Sequence, residues 1–411
     1  MSEKTMTDKL VRTGFGLKKE IADAVAQDYH STLIDYIKGA DYSVTFGRTT
    51  IHLAREFGFC YGVDRSIDYA YQTVRKFPDK KIYLTGEIIH NPFVNNRLIE
   101  MGVSFLSGQY NKGESLKDIR PEDIVILPAF GVSIPALKQL HEMNCILVDT
   151  TCGSVLNVWK HVERFTKENY TALVHGKYYH EETIATVSRS TEQNGGHYII
   201  VRDKVEAQKV CDYIRLPEDK NGFLKYFEKC VSQGFDPDQH LQKMGVANQT
   251  TMLATESLKI GMMIKEALSN RYGAERIDDH YRAFDTICSA TQDRQDAIIE
   301  MLKNKADLSV IIGGFNSSNT MSLTNIALSY CPAYHIEDAR DLINPSKIRH
   351  KPVGQEPTLE KRFWLPEGDV SIAVTAGAST PNAKIGEVIE KLLHLRGETS
   401  HMDDLIPVST S

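Results

Sequence analysis

Three cysteines hold equivalent places in this chain of 411 residues: Cys60, Cys152 and Cys288. Each follows an extended-looking stretch and opens an amphipathic helix. Cys145–Val148 leads to Cys152 and a helix over 154–168; Phe284–Ile287 leads to Cys288 and a helix over 291–304. At nearly equal spacing from each cysteine, a short apolar strand ends in a glycine (Gly86, Gly176, Gly313) before a polar loop and another helix. The chain reads as three versions of one unit. The first turn of a helix offers unpaired N–H groups and a partial positive charge, which favour the thiolate that binds metal. If three like units pack about a pseudo-threefold axis, three thiolates meet at one point. Three sulfur ligands on a centre that takes four leave one position open, as in an iron–sulfur cluster held by three cysteines. The bland alternative is three buried structural cysteines, the commonest fate of a free cysteine. The matched position in three units favours the metal.

The polar loops supply the other candidates. Pro92 fits the first position of a helix, so His90 and Asn91 sit at its start. His180 lies on the equivalent loop of the second unit. Gly313–Asn319 and Ala376–Pro381 are small-residue turns into helices, where backbone N–H groups and the hydroxyls of Ser317, Ser318 and Ser379 can face an anion. Neither matches a Walker or dinucleotide fingerprint, and each alone reads more readily as a helix cap. Together with the two histidines they point to a phosphorylated substrate. Glu182 lies two residues past His180. Beside a cluster and an anionic substrate its carboxyl should titrate high, which suits a proton donor; the alternative is a first-turn glutamate facing a helix N-terminus. Thr250 and Thr251 are either strand residues or a hydroxyl relay, and the pattern leaves both open.

Strand and helix alternate throughout, which is the signature of an α/β protein with mainly parallel sheets. The expected divisions are an N-terminal appendage over 1–47, a first unit over 48–144, a second over 145–285, a third over 286–395 and a tail over 396–411. The appendage carries a helical pattern from Lys18 to Lys38 and no candidate chemistry, so it is expected to pack on the outside of the body or to serve assembly. Residues 216–243 read as an insertion, because the second unit is longer than the first. Composition sets broad limits. The chain is 41% hydrophobic and 25% charged with a net charge of −6, an ordinary globular profile that argues against nucleic acid as a general partner. No apolar run nears the roughly 20 residues of a membrane span, and the start of the chain has no signal-like apolar region. Seven cysteines in such a chain do not suggest a disulfide framework. The expectation is a cytoplasmic protein.

The motifs together resemble a known family, the 4-hydroxy-3-methylbut-2-enyl diphosphate reductases, over about Thr49 to Leu395. The resemblance is carried by Gly58–Asp64 around Cys60, Glu87–Asn91, Asp149–Cys152, His180–Glu182, Gln249–Thr251, Cys288–Thr291, Asn316–Asn319 and Thr375–Ser379. The appendage and the Pro128–Gly131 form are similar to the longer plant and cyanobacterial type. The resemblance implies a trefoil of three pseudo-equivalent αβα units around one [4Fe–4S] cluster, with Cys60, Cys152 and Cys288 as ligands. It implies that the substrate hydroxyl meets the open iron and leaves as water when two electrons and protons arrive, giving isopentenyl and dimethylallyl diphosphate. Glu182 matches the family's proton donor and Thr250 the hydroxyl relay beside it. His90, His180, Ser317, Ser318, Asn319 and Ser379 match residues that hold the substrate, mostly its diphosphate. A ferredoxin or flavodoxin is the implied electron donor.

Two positions depart from the bacterial pattern. Phe130 stands where many members carry a second loop histidine, and it cannot donate a hydrogen bond. Gly153 follows Cys152 where proline is more usual. Three other readings compete. An iron–sulfur hydro-lyase would more naturally show arginines for carboxylates. A non-enzymatic, redox-sensing metal protein leaves Glu182 and the serine-rich loops unexplained. A Cys/His hydrolase does not need three equivalent cysteines.

Overall fold

The computed structural model describes residues 9–192, 195–284 and 286–400; most of the expected tail, from residue 401, lies outside them. Parallel strands form the framework, and their sequences explain why. Thr171–His175, Met244–Asn248 and Leu308–Ile312 are buried at every position. A strand buried on both faces needs cover on both faces, which βαβ crossovers of a parallel sheet provide.

The chain divides into two compact units. The first takes in the described parts of Met1–Thr13, Asp79–Ile88 and Gly102–Cys288; the second takes in those of Gly14–Pro78, Ile89–Met101 and Ser289–Ser411. The first unit holds two parallel sheets. One runs Leu10–Val11, Ile146–Asp149, Ile124–Leu127, Ile82–Leu84, Val103–Phe105 in spatial order; the other runs Tyr281–Ala283, Met244–Asn248, Thr171–His175, Tyr198–Val201. The second unit holds one five-stranded sheet in the order Ala333–Ile336, Leu308–Ile312, Val370–Ala376, Thr49–Leu53, Ser43–Phe46, parallel except for the last pair. It also holds a three-stranded antiparallel sheet of Leu342–Asn344, Lys347–His350 and Leu359–Arg362.

Sheet pairing crosses two of the expected boundaries. Ile146–Asp149, grouped by pattern with the second repeat, pairs with Ile124–Leu127 of the first. Thr49–Leu53, grouped with the first repeat, pairs with Val370–Ala376 of the third. Cys152 and Cys288 therefore each follow an added strand of the sheet that precedes them, and Cys60 follows a strand of the sheet built by the end of the chain.

The appendage is built into the fold. Its expected single helix is two, Lys18–Tyr29 and Thr32–Gly39, because Ser31 caps the second by accepting a hydrogen bond from Ile34 N at 3.4 Å. Leu33, Ile34, Ile37, Val44 and Phe46 are buried in the same core as Val388, Ile389 and Leu392 of the helix Asn382–Arg396. Residues 216–243 contain two short helices, Lys220–Tyr226 and Pro237–His240, and bury Phe223, Phe227, Phe235 and Leu241 in one core with Tyr213, Ile264 and Leu268. No helix among the described residues is long and apolar enough to cross a membrane.

Candidate active site

The candidate residues gather in two sets, one in each unit. In the first unit the centre is Glu182, at the second position of the helix Glu181–Thr191. His180 is the N-cap: its Nδ1 accepts from Glu182 N at 3.1 Å. That bond leaves the ring proton of a neutral imidazole on Nε2. Glu182 is 1% exposed, and both of its carboxylate oxygens accept from one residue. Thr250 N donates to Oε1 at 2.6 Å and Thr250 Oγ1 donates to Oε2 at 2.9 Å. A carboxylate gripped by a main-chain N–H and a hydroxyl is held in one orientation. The same threonine reaches the cysteines, since its carbonyl accepts from Cys288 N at 3.3 Å. Cys288 Sγ in turn accepts at 3.3 Å from the hydroxyl of Ser154, two residues past Cys152. His180, Glu182, Thr250 and Cys288 are thus one connected set, with Cys152 beside it.

Cys152 is the N-cap of the helix Gly153–Lys167. Helix position was expected to lower such a thiol. Instead burial pushes Cys152 up, and the neighbouring Cys288 sulfur adds to this; hydrogen bonds from Ser154 N and Val155 N pull the other way. Desolvation outweighs the helix start here. Phe130 lies against this set. Its ring meets His180 edge to face with centroids 5.4 Å apart, so the residue substituting for a histidine packs beside the other one. The turn that delivers it depends on Gly131, whose φ is +75° and where any Cβ would overlap the Trp159 ring.

In the second unit the site forms where Leu308–Ile312 and Val370–Ala376 end side by side, with Ile312 paired to Ala376. Ligands of parallel sheets bind beyond such carboxyl ends. Thr320 is wedged between the two loops, so that a Cβ on either Gly313 or Gly377 would overlap its hydroxyl. The glycines therefore let both loops close onto the start of the helix Ser318–Ala327. Ser317 is its N-cap, and its Oγ accepts from Thr320 N at 3.2 Å and from Thr320 Oγ1 at 2.9 Å. Its own hydroxyl proton must then point elsewhere. Asn319 ties the loops together by accepting from Ala378 N at 3.0 Å. Its amide nitrogen is buried and has no hydrogen-bond partner among the described residues, which is costly unless a ligand supplies an acceptor. Ser379 Oγ donates to His90 O at 3.2 Å, and Gly314 lets that same carbonyl approach where a Cβ would collide with it. Cys60 joins this set through its backbone, donating to Ala378 O at 3.2 Å. Arg294 holds the preceding turn, its guanidinium donating to Gly58 O at 2.7 Å. Ser318 is buried at the first position of the helix.

Sequence reasoning missed Ser154, Thr320, Arg294 and the role of Gln249. Gln249 Oε1 accepts from Lys177 N and Thr183 Oγ1, both at 3.2 Å, fixing the His180 loop. Ser154 had a signal in lying two residues past Cys152, and Thr320 in closing the Asn-Ser-Ser-Asn run. Arg294 had none, because its acceptor lies 236 residues away.

Environment also separates the seven cysteines, all of them free. Cys145 and Cys211 are buried in apolar cores, and burial pushes Cys211 up to about 12. Cys230 and Cys331 are partly exposed, but neither opens a helix. Cys60, Cys152 and Cys288 are partly exposed thiols directly before helices, which sets them apart from the other four.

Fold and site define a class, an α/β protein of parallel sheets with three thiols at helix starts and small-residue loops beyond the strand ends. The family described as LytB protein matches residues 51–393. The 4-hydroxy-3-methylbut-2-enyl diphosphate reductase of Gloeobacter violaceus is 43% identical over 390 residues, covering 94% of this chain and 92% of that one. The same-named protein of Thermosynechococcus vestitus is 45% identical over 387 residues, 94% of each chain. A solved (E)-4-hydroxy-3-methyl-but-2-enyl diphosphate reductase, described as the terminal enzyme of the non-mevalonate pathway, aligns with a TM-score of 0.51 at 25% identity, covering 84% of this chain and 99% of that one. The chain belongs to the LytB family of 4-hydroxy-3-methylbut-2-enyl diphosphate reductases, which are oxidoreductases.

Proposed function

We propose that the chain carries out the reductive dehydroxylation of 4-hydroxy-3-methylbut-2-enyl diphosphate to isopentenyl and dimethylallyl diphosphate, the last step of the non-mevalonate pathway. The C–O bond of the allylic alcohol breaks, two electrons and two protons enter, and water leaves as a C–H bond forms. Cys60, Cys152 and Cys288 are the thiols that would hold one [4Fe–4S] cluster, and their chemistry fits it. The cluster, when bound, supplies electrons and a Lewis-acidic iron. The trefoil of three αβα units, and the division into three repeats with an appendage and a tail, belong to this proposal. So do a cytoplasmic setting and a protein electron donor.

The chain's own residues divide the rest of the work. Ser317, Ser318, Asn319 and Ser379, with His90 and His180, hold the diphosphate end through hydroxyl, amide and imidazole donors. Glu182 delivers the proton, and Thr250, which bonds to it through both N and Oγ1, orients the carboxyl and relays through its hydroxyl. The observation that carries this reading is the Glu182–Thr250 clasp, a buried carboxyl fixed by two donors and joined through Thr250 O to Cys288. The test is anaerobic incubation with substrate and a chemically reduced dye, followed by separation of the products. Both five-carbon diphosphates are the expected result. Unchanged alcohol from protein with its full metal content would overturn the reading in favour of an iron–sulfur hydro-lyase.

A further inference from the structure

Resting on that reading, we propose that one face of the first unit, built by Lys177–Tyr179 and the turn over 225–230, is the docking surface for a small acidic one-electron carrier protein. The reaction consumes two electrons, and neither glycine-rich loop of the chain carries a dinucleotide fingerprint. Electrons therefore come from outside, and a carrier must find one place on the surface.

The insertion that the catalytic reading leaves unused makes such a place. Residues 216–243 are tied to the body of the unit. Ile200 N donates to Cys230 O at 2.7 Å, Ile199 bridges Val231, and Phe227 is buried beneath. These bonds set Lys225, Tyr226, Glu228 and Lys229 against the sheet edge at Tyr198–Val201. Across a cleft of about 260 Å³ lie Gly176, Lys177, Tyr178 and Tyr179. Tyr178, Tyr179 and Tyr226 are 41%, 61% and 50% exposed, a grouping of aromatic rings suited to an interface.

The charge is lopsided. Arg202 on the cleft wall is taken up by Asp203 and Glu206. Lys225 and Lys229 have no ion pair among the described residues, and Lys209 Nζ sits 4.7 Å from the Tyr226 ring centroid. Glu228 is the remaining acid of the cleft wall. A net positive face on a chain of net charge −6 favours an acidic partner.

The cleft also lies behind the site itself. It is lined by Gly176, where a Cβ would come within 2.8 Å of Thr183 Oγ1 and 3.1 Å of Gln249 Cβ. Gln249 precedes Thr250, and Tyr179 precedes His180. One loop thus carries exposed tyrosines at one end and the buried Glu182 set at the other. Each docked carrier gives up one electron and leaves oxidised, so two successive encounters complete a turnover.

The test compares the wild-type holoenzyme with the triple variant Lys209→Glu/Lys225→Glu/Lys229→Glu, using purified acidic [2Fe–2S] ferredoxin and a small reduced dye as alternative donors. Binding of oxidised ferredoxin by calorimetry provides a readout apart from activity. The expected result is a KM and a Kd for ferredoxin about tenfold higher in the variant at low salt, with dye-driven turnover unchanged. The wild-type KM should rise steeply with ionic strength and the variant's far less. The milder Lys225→Gln/Lys229→Gln should fall between. Unchanged ferredoxin Kd and KM in a variant that turns over normally with dye would overturn the docking face. So would the same substitutions abolishing binding of an RNA oligonucleotide or anionic vesicles while leaving ferredoxin kinetics untouched. Absence of dye-driven turnover in the wild type would instead strike the proposed reaction, and the ferredoxin Kd would still decide the docking face.

Discussion

The two units place their polar groups in opposite ways. In the first unit, groups far apart in sequence grip one another: Glu182 is held by Thr250, Thr250 O receives Cys288 N, and Cys288 Sγ receives the Ser154 hydroxyl. In the second unit, backbone does the placing. Gly313, Gly314 and Gly377 allow approaches that any Cβ would block, and the donors of Ser317 and Asn319 follow from them. A proton donor needs one carboxyl position, which a hydrogen-bonded clasp gives. A diphosphate presents many acceptors, and a cradle of N–H, hydroxyl and amide donors meets them without a single fixed partner. On this account proton delivery belongs to the first unit and most of the anion binding to the second.

Substitutions can break that contrast, the cysteines most severely. Cys60→Ser in the second unit and Cys152→Ser in the first should each leave protein without an intact cluster and without turnover, read by iron and sulfide counts. A full cluster in either variant removes that residue from the ligand set. Glu182→Gln comes next. It should lower kcat by about 10²–10⁴ while substrate still binds, since only proton delivery is lost; turnover like the wild type would take the acid role from it. Asn319→Ala should do the reverse, raising KM about tenfold through loss of a buried donor and of the link to Ala378, with a smaller change in kcat. A fall in kcat alone would place Asn319 in the chemistry and blur the contrast.

A last effect is one in which the units should behave alike, because each buries a histidine completely. His175 is paired with Ser257 Oγ at 2.7 Å, and His335 Nε2 donates to Gly313 O at 2.9 Å, beneath the anion loop. Burial holds both down to about 4. The folded chain keeps these rings neutral while the unfolded chain takes up protons below about pH 6.5, so acid favours unfolding. Stability should therefore be insensitive to these rings above about pH 6.5. It should fall by about 1.4 kcal/mol per pH unit for each ring between there and about pH 4, and level off below. Urea unfolding across that range reads the slope. His175→Gln and His335→Gln should each remove one proton from it; a slope unchanged by either substitution would show that the ring is not held neutral.

What could be read from the sequence depended on distance along the chain. The strands were legible because a parallel strand buried on both faces is a largely apolar run, unbroken in Ile124–Leu127. The cysteines stood out because each sits between such a stretch and a helix. The helix break at Ser31 was missed because the apolar pattern continues through it, and only the cap shows that the chain turns. Glu182 and Thr250 were each identified, but the clasp between them joins positions 68 residues apart and has no local signature. The pairing of Thr49–Leu53 with Val370–Ala376 is hidden for the same reason. The expectation that a helix start lowers the Cys152 thiol failed because burial cannot be read from helix position, and burial is the larger effect. In the small-residue loops the glycines were visible and Thr320 closes the Asn-Ser-Ser-Asn run, but nothing local shows that its side chain fills the space beside both Gly313 and Gly377.

The division of labour between the units can be measured without any turnover. Inorganic diphosphate titrated calorimetrically into the wild-type holoenzyme, Glu182→Gln and Asn319→Ala isolates the anion from the chemistry. The account predicts a Kd for Glu182→Gln equal to that of the wild type and one about tenfold weaker for Asn319→Ala. Weaker binding in Glu182→Gln with unchanged binding in Asn319→Ala would contradict it.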